Sequence, residues 1–499
     1  MLPKEFKSLW IASSSQTNYP ELTKDLEVDV AIVGGGIAGM TAAYFLSEEN
    51  FKVAVIEAER IAYSTSGNTT AKITSLHDLK YAYLKKNFGL LNAKIYSESN
   101  EWAIREISRL ILKEKIECDF YKSPSYVYAR TAEGKNLIEE EFSVAQELGL
   151  PVSFVTEISS IPFKIEGAIR FDNQAYFHPR KFILKLADMI IKKNNYIFEN
   201  SEVIKIKEGK SHEVITSQAK LRAAKVVIAT NFPIYDKGLY FARMQQKRSY
   251  SLAARLKSGL PDGMYIGVGD FNLSIRPHRN HLGEWLILGG EEHPTGETIN
   301  LDHLKELEKK LIKFFDVEAI DYKWAAQDSF PFDSIPYIGR MPFSKDIYLT
   351  TGFGSWGMTT SVVSAKILTD LISDKKNDWL NLYSPSRFKL PLYLKQSKEM
   401  FLHLEQGFKN YFIKRENDLM PEPEEGKIIS VKGRQIAVYK DKMGKIYTLS
   451  AVCTHMGCII HWNNEEKSWD CACHGSRFSS SGEVLNGPAK KPLKKVKLF

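Results

Sequence analysis

The chain has 499 residues, 43% of them hydrophobic and 12% aromatic, and a formal net charge of +8. That length suits roughly two to four domains with sizeable cores, and nothing pairs basic residues with aromatics as a nucleic-acid surface does. No apolar run is long enough to cross a bilayer, and Met1-Leu-Pro-Lys-Glu-Phe-Lys7 lacks the apolar core of a signal peptide, so a cytoplasmic protein without a membrane span is expected.

A polar lead over 1–28 precedes a strand over 29–33, which runs into Gly34-Gly35-Gly36-Ile-Ala-Gly39, a helix, and a second strand over 53–57. In that context the three glycines have separate uses. Gly34 allows a tight turn, Gly36 lets backbone approach a pyrophosphate, and Gly39 lets helix pack on strand. The free amides at the helix start face the phosphates. Glu57, at the end of the second strand, is placed to accept both hydroxyls of an adenosine ribose. FAD and NAD both suit this turn.

The run Ser64-Thr-Ser-Gly67-Asn68-Thr69-Thr70-Ala71-Lys72 offers small residues along which a flavin could lie; a surface loop is the plainer alternative. His77 is a candidate for approach to the flavin, with a packed or capping histidine as the preferred reading. Cys118 has no partner by count and reads as a packed thiol. Here the chain begins to resemble the D-amino acid oxidase superfamily of FAD-dependent enzymes. Asn173-Gln-Ala-Tyr-Phe-His178-Pro179-Arg180 matches a segment that opens a helix in that family, and Val203 matches a residue that touches adenine. Phe332-Asp333-Ser-Ile-Pro336-Tyr-Ile-Gly339 and Gly352-Phe-Gly354-Ser-Trp-Gly357-Met358-Thr359-Thr360 resemble its closing FAD motif. A helix over 359–372 would aim its positive end at the reduced flavin's pyrimidine ring. The resemblance implies an α/β Rossmann-type FAD domain with an antiparallel β layer over the flavin, here about 241–327. A basic residue in that layer commonly holds a substrate carboxylate, and Arg248, Tyr250 and Arg276 are the candidates. No second dinucleotide fingerprint follows a strand, so electrons are expected from a small organic substrate.

Between 376 and 426 the composition turns to a linker. Phe401, Leu404, Phe408 and Phe412 recur at helical spacing, and Pro421-Glu-Pro423-Glu-Glu-Gly426 reads as a rigid acidic hinge. Strands over 428–431, 436–439 and 446–452 then announce a small all-β domain over 427–499. It contains two boxes, Cys453-Thr-His455-Met-Gly457-Cys458 and Cys471-Ala-Cys473-His474-Gly475-Ser476. One thiolate and one imidazole from each of two loops is the ligand set of a Rieske centre, where histidines replace cysteines on one iron. A zinc site or a disulfide with incidental histidines would use the same residue types, but a CxHxGC box followed by CxCHGS is far more specific. The boxes resemble the Rieske family. That resemblance assigns Cys453 and Cys471 to one iron, His455 and His474 to the other, Cys458 and Cys473 to a disulfide over the cluster, and Ser476 to a hydrogen bond with a cluster sulfur. Phe478 stands where high-potential members carry a tyrosine, which implies a lower potential within a range of roughly −150 to +300 mV.

The expected protein is an FAD domain over 29–375 fused to a Rieske domain. It would oxidise a small amine or amino acid and pass single electrons through the cluster to an external acceptor. A non-catalytic electron carrier or redox sensor is the alternative. A Rieske oxygenase would need an iron site of two histidines and a carboxylate, whose sequence pattern is missing.

Overall fold

The computed structural model describes residues 6–269, 271–297, 302–389, 391–392 and 420–497. The helix expected around Phe401, Leu404, Phe408 and Phe412 lies outside the described residues.

Leu26–Val33 is buried throughout its last four residues, as a central parallel strand must be. It pairs in parallel with Val53–Ile56 and Lys220–Ile228, and Ile347–Thr351 extends the parallel run beyond Lys220–Ile228. Val30, Ile32, Val53 and Val55 pack under the helices Ile37–Glu48, Leu90–Lys113, Pro179–Lys192 and Gly357–Ile372. Ala31, Val33, Ala54 and Ile56 face a second apolar layer with Val214, Leu221 and Tyr337. This doubly covered sheet puts the glycine turn after Leu26–Val33 at its carboxyl edge, where open α/β sheets bind ligands.

The layer beside it is larger than its expected 241–327 core. Its eight strands run in the order Val317–Pro331, Met244–Leu256, Gly283–Pro294, Ser274–Asn280, Met264–Gly267, Ser125–Ala129, Gly167–Phe171, Val152–Val155. All pairs are antiparallel except Met264–Gly267 with Ser125–Ala129. Side chains alternate across it. Ala253, Ile287 and Trp324 join the FAD-domain core, whereas Tyr250, Leu252, Leu288 and Ala325 face outward and pack with Leu307 and Leu311 of the helix His303–Phe314.

The lead before Leu26–Val33 is more than a polar extension. Leu9–Ala12 is a short helix whose Trp10 is fully buried, edge-on to His178, His278 and Trp324. Its apolar run is too short to register as an element by periodicity.

The C-terminal unit has a three-stranded sheet, Gly426–Val431, Arg434–Lys440 and Ile446–Ser450, and a four-stranded one, Ile460–Asn463, Ser468–Cys471, Arg477–Ser479 and Val484–Asn486. Ala437, Leu449, Ile460, Trp469 and Phe478 fill its core beside Cys453 and Cys471. The acidic segment before it is tied in by the Glu424 amide on the Lys440 carbonyl, 2.7 Å, and the Lys440 amide on the Glu425 carbonyl, 3.1 Å.

Candidate cofactor sites and the sheet between them

A cavity of about 1300 Å³ opens along the carboxyl edge of the parallel sheet. It is larger than the few hundred to 1,000 Å³ of an ordinary small-molecule pocket, as a dinucleotide requires. Gly34, Gly36, Glu57, Thr69, Val203, Gly357 and Met358 line it. Gly34 has φ +112°, and a Cβ there would meet the Ala229 carbonyl oxygen at 2.5 Å, so only glycine fits. Gly39 stands behind the wall, where a Cβ would lie 1.9 Å from the Gly34 carbonyl oxygen; it sets the approach of helix to turn. Glu57 accepts the Gly35 amide at 2.7 Å and the Glu59 amide at 3.0 Å. Burial raises its carboxyl and those two amides oppose the rise.

Thr70, Gly339, Gly352, Gly354 and Thr359 do not line the cavity. The Thr70 carbonyl accepts from Arg276 Nε, Gly339 lies against Pro385, and Gly352 against Pro331. Thr359 Oγ1 meets His77 Nε2 at 3.1 Å. His77 is fully buried, bonds Tyr96 through Nδ1 at 2.7 Å, and stacks on Trp356 at 4.4 Å, so it is a packed histidine. Burial, with Asp119 beside it, pushes the Cys118 thiol up to about 12. Asp333 grips Arg387 with both oxygens, 2.8 and 3.0 Å, and serves the fold.

Ser66 belongs to the run of small residues singled out in the sequence, whereas Trp10, Trp324 and Asp328 carried no such signal. Ser66 Oγ accepts the Ile37 amide at 2.9 Å and so caps the helix that follows the glycine turn. Trp10 Nε1 donates to the Thr69 carbonyl at 2.6 Å and Trp324 Nε1 to the Asn68 carbonyl at 2.9 Å; two indoles separated widely in sequence thus hold one loop. Trp324, Ala325, Ala326, Gln327 and Asp328 of Val317–Pro331 line the sheet end of the cavity.

In the second unit, Cys453 and Cys471 are free and buried, and Cys458 is joined to Cys473. The sulfurs of Cys458, Cys471 and Cys473 lie within 4.8 Å of one another, but the disulfide engages two of them, leaving Cys471 as the free thiol among the three. The rings of His455 and His474 stand 5.0 Å apart. His455 Nδ1 is buried without a hydrogen-bond partner, the condition of an imidazole whose lone pair is meant for a metal. Ser476 Oγ accepts the Ala489 amide at 3.0 Å and also contacts Cys453. Two free buried thiols and two convergent imidazoles fit a Rieske cluster, and the glycine cradle with Glu57 fits FAD.

The two sites meet across the antiparallel sheet. Phe241 lies edge-on to both imidazoles, 5.4 Å from His455 and 5.5 Å from His474. Gln327 Nε2 donates to the Gly475 carbonyl at 3.0 Å. A Cβ on Gly475, φ +73°, would fall 2.2 Å from the Gln246 Cβ, so the box after His474 touches the sheet closely only as glycine. Arg248 and Tyr250 lie on this outer face. Arg248 pairs with Glu466 at 2.5 Å, and Tyr250 meets Asn463 at 3.4 Å. Arg276 is buried among the Thr70, Pro277 and Phe177 carbonyls and over the rings of Trp10 and Tyr176. Of the three candidates for a substrate carboxylate, only Arg248 borders the cavity, and it is already paired. Strand alternation explains this: a basic residue in the layer is visible in the sequence, but the face it occupies is set by register and packing.

Residues 29–371 match the family model of FAD dependent oxidoreductases, and residues 409–497 match that of the Rieske 2Fe-2S domain. The chain is 36% identical to the "Putative Rieske 2Fe-2S iron-sulfur protein YhfW" of Bacillus subtilis, across 99% of this chain and 98% of that one. It is 23% identical to the gamma-glutamylputrescine oxidoreductase of Escherichia coli over 74% of this chain and 89% of that protein. The fold is similar to that of glycine oxidase from Geobacillus kaustophilus, with a TM-score of 0.63 at 18% identity, covering 73% of this chain and all of that one. No helix among the described residues is long and apolar enough to cross a membrane. The chain belongs to the FAD dependent oxidoreductase family and carries a Rieske 2Fe-2S domain, with FAD and a 2Fe-2S cluster as its cofactors.

Proposed function

We propose that the protein is a dehydrogenase for a small amine or amino acid, sending electrons one at a time from FAD to the Rieske cluster and on to an external acceptor. The observation that carries this reading is the direction of the two imidazoles, which face Phe241 and the antiparallel sheet rather than away from the FAD domain. FAD supplies a two-electron acceptor for a hydride and a one-electron donor to the cluster. In this reading Cys453 and Cys471 hold one iron and His455 and His474 the other. Gly34, Gly36 and the start of Ile37–Glu48 take the pyrophosphate, Glu57 the ribose, and Val203 the adenine. Gln327 and Gly475 keep the cluster against the sheet, while Trp10 and Trp324 keep the 65–70 loop against the flavin. The proposed division is an FAD domain over 29–375, a linker over 376–426 and a Rieske domain over 427–499. The kinship with a gamma-glutamylputrescine oxidoreductase supports an amine-type substrate.

The test is anaerobic titration of the purified protein with primary and secondary amines and amino acids, following flavin and cluster absorption together. Bleaching of both by one compound is expected. Bleaching of neither, in protein whose cofactors dithionite reduces, would leave an electron relay instead.

A further inference from the structure

The end of the cavity nearest the Rieske domain is bounded by Val317–Pro331 and by the turn that precedes Gly357–Ile372. The Gly354 amide donates to the Ser329 carbonyl at 3.1 Å, which holds that turn against the strand. Ser355, at its tip, has φ +71°, a conformation costly for a residue other than glycine and characteristic of functional turns. Its side chain lies beside the carboxyl of Asp328 and favours the ionised form. Both line the cavity, and Asp328 shares the cradle-facing side of its strand with Trp324.

The charges around Asp328 are unequal in their freedom. Arg248 and Arg477, which also border the cavity, both pair with Glu466, at 2.5 and 3.1 Å, and Arg477 pairs further with Asp470 at 3.0 Å. Lys247, opposite Asp328 in the sheet, pairs with Glu292 at 2.9 Å and lies over Phe330. Among the described residues no cation forms an ion pair with Asp328. This end of the cavity therefore offers an unpaired carboxyl and no unpaired guanidinium.

We propose that Asp328 receives the ammonium group of the substrate and takes its proton, and that the substrate is an amine whose binding requires no carboxylate. This rests on the dehydrogenase reading and narrows it. The N–H proton passes to the Asp328 carboxylate. The C–H bond then breaks with its electron pair, which leaves as hydride to FAD, while the nitrogen lone pair forms the C=N bond; Asp328 returns its proton to solvent. Burial pushes this carboxyl up to about 7, with Glu292 adding to the rise and Ser355 and Arg248 opposing it, so near neutral pH it can both accept and release a proton.

The test uses tert-butylamine and pivalate, which match in shape, lack the hydrogen to be oxidised, and differ in charge. Binding to the holoenzyme is read by flavin difference spectra and calorimetry. Tert-butylammonium should bind and pivalate should not; Asp328→Asn should weaken the amine about 30-fold or more, and Asp328→Glu should restore part of it. Equal amine affinity in Asp328→Asn, or tighter binding of pivalate by the wild type, overturns the assignment. Where Asp328→Asn fails to retain FAD, the wild-type preference between the two isosteres decides. If tert-butylammonium binds through Asp328 and no oxidisable amine bleaches the flavin, the ammonium site stands and the dehydrogenase reading falls.

Discussion

Phe478 shows what a single side chain contributes beside a metal cluster. It is fully buried in the core that holds Cys453 and Cys471, and it brings no hydrogen-bond donor. A phenol there would donate to a ligand sulfur and stabilise the more electron-rich, reduced cluster. Phe478→Tyr should therefore raise the midpoint potential, still within roughly −150 to +300 mV, as measured by redox titration followed by electron paramagnetic resonance; an unchanged or lower value would show that the ring does not reach the sulfur. The Rieske domain was legible in the sequence because each of its two boxes is contiguous, so residue type and spacing survive without a structure. Asp328 was not, because its meaning depends on Ser355 beside it and on which neighbouring cations other acids have already engaged.

Among the elements, the helix His303–Phe314 links the FAD domain to the Rieske fold. Asp302 caps it through the Lys305 amide at 3.1 Å, and the next free amide, Leu304, donates to Glu465 Oε1 at 2.7 Å. Burial, with Asp302 close by, pushes the Glu465 carboxyl up to about 7. A carboxyl raised above its ordinary value favours the docked state when protonated. Docking is thus strongest below pH about 4.5 and weakens as pH rises through about 7. The rate of flavin-to-cluster transfer after rapid reduction should fall over that window, and Glu465→Gln should flatten the profile; a variant that keeps the full slope would place the titrating group elsewhere. The main elements were legible from pattern: the parallel strands, the glycine turn and the helix Gly357–Ile372 all follow local periodicity and punctuation. The pairing of Val317–Pro331 with Met244–Leu256 and the faces they present were not, since alternation is visible in sequence but its inward and outward senses are set by packing.

For the whole molecule, the buried Arg248–Glu466–Arg477 group joins the domains. Removing its acid leaves the buried Arg248 guanidinium without an ion-pair partner among the described residues, while Arg477 keeps Asp470 at 3.0 Å, a loss of about 3–5 kcal/mol for a broken buried pair. Glu466→Gln should split one cooperative thermal unfolding transition into two and slow flavin-to-cluster transfer, with both cofactors retained. A single transition at the wild-type temperature would show that the aromatic and amide contacts suffice. Neither the docking face nor the seat of Trp10 was legible, because each joins residues far apart in the chain whose own neighbourhoods look like ordinary surface. The Trp10 seat also bears on the order of assembly. Its walls include His178, His278 and Trp324, all made long after Trp10 during synthesis. The segment around Trp10 must wait, unseated, until most of the FAD domain has been translated. Its insertion, and with it the fixing of the loop that Trp10 holds, belongs among the late events of folding.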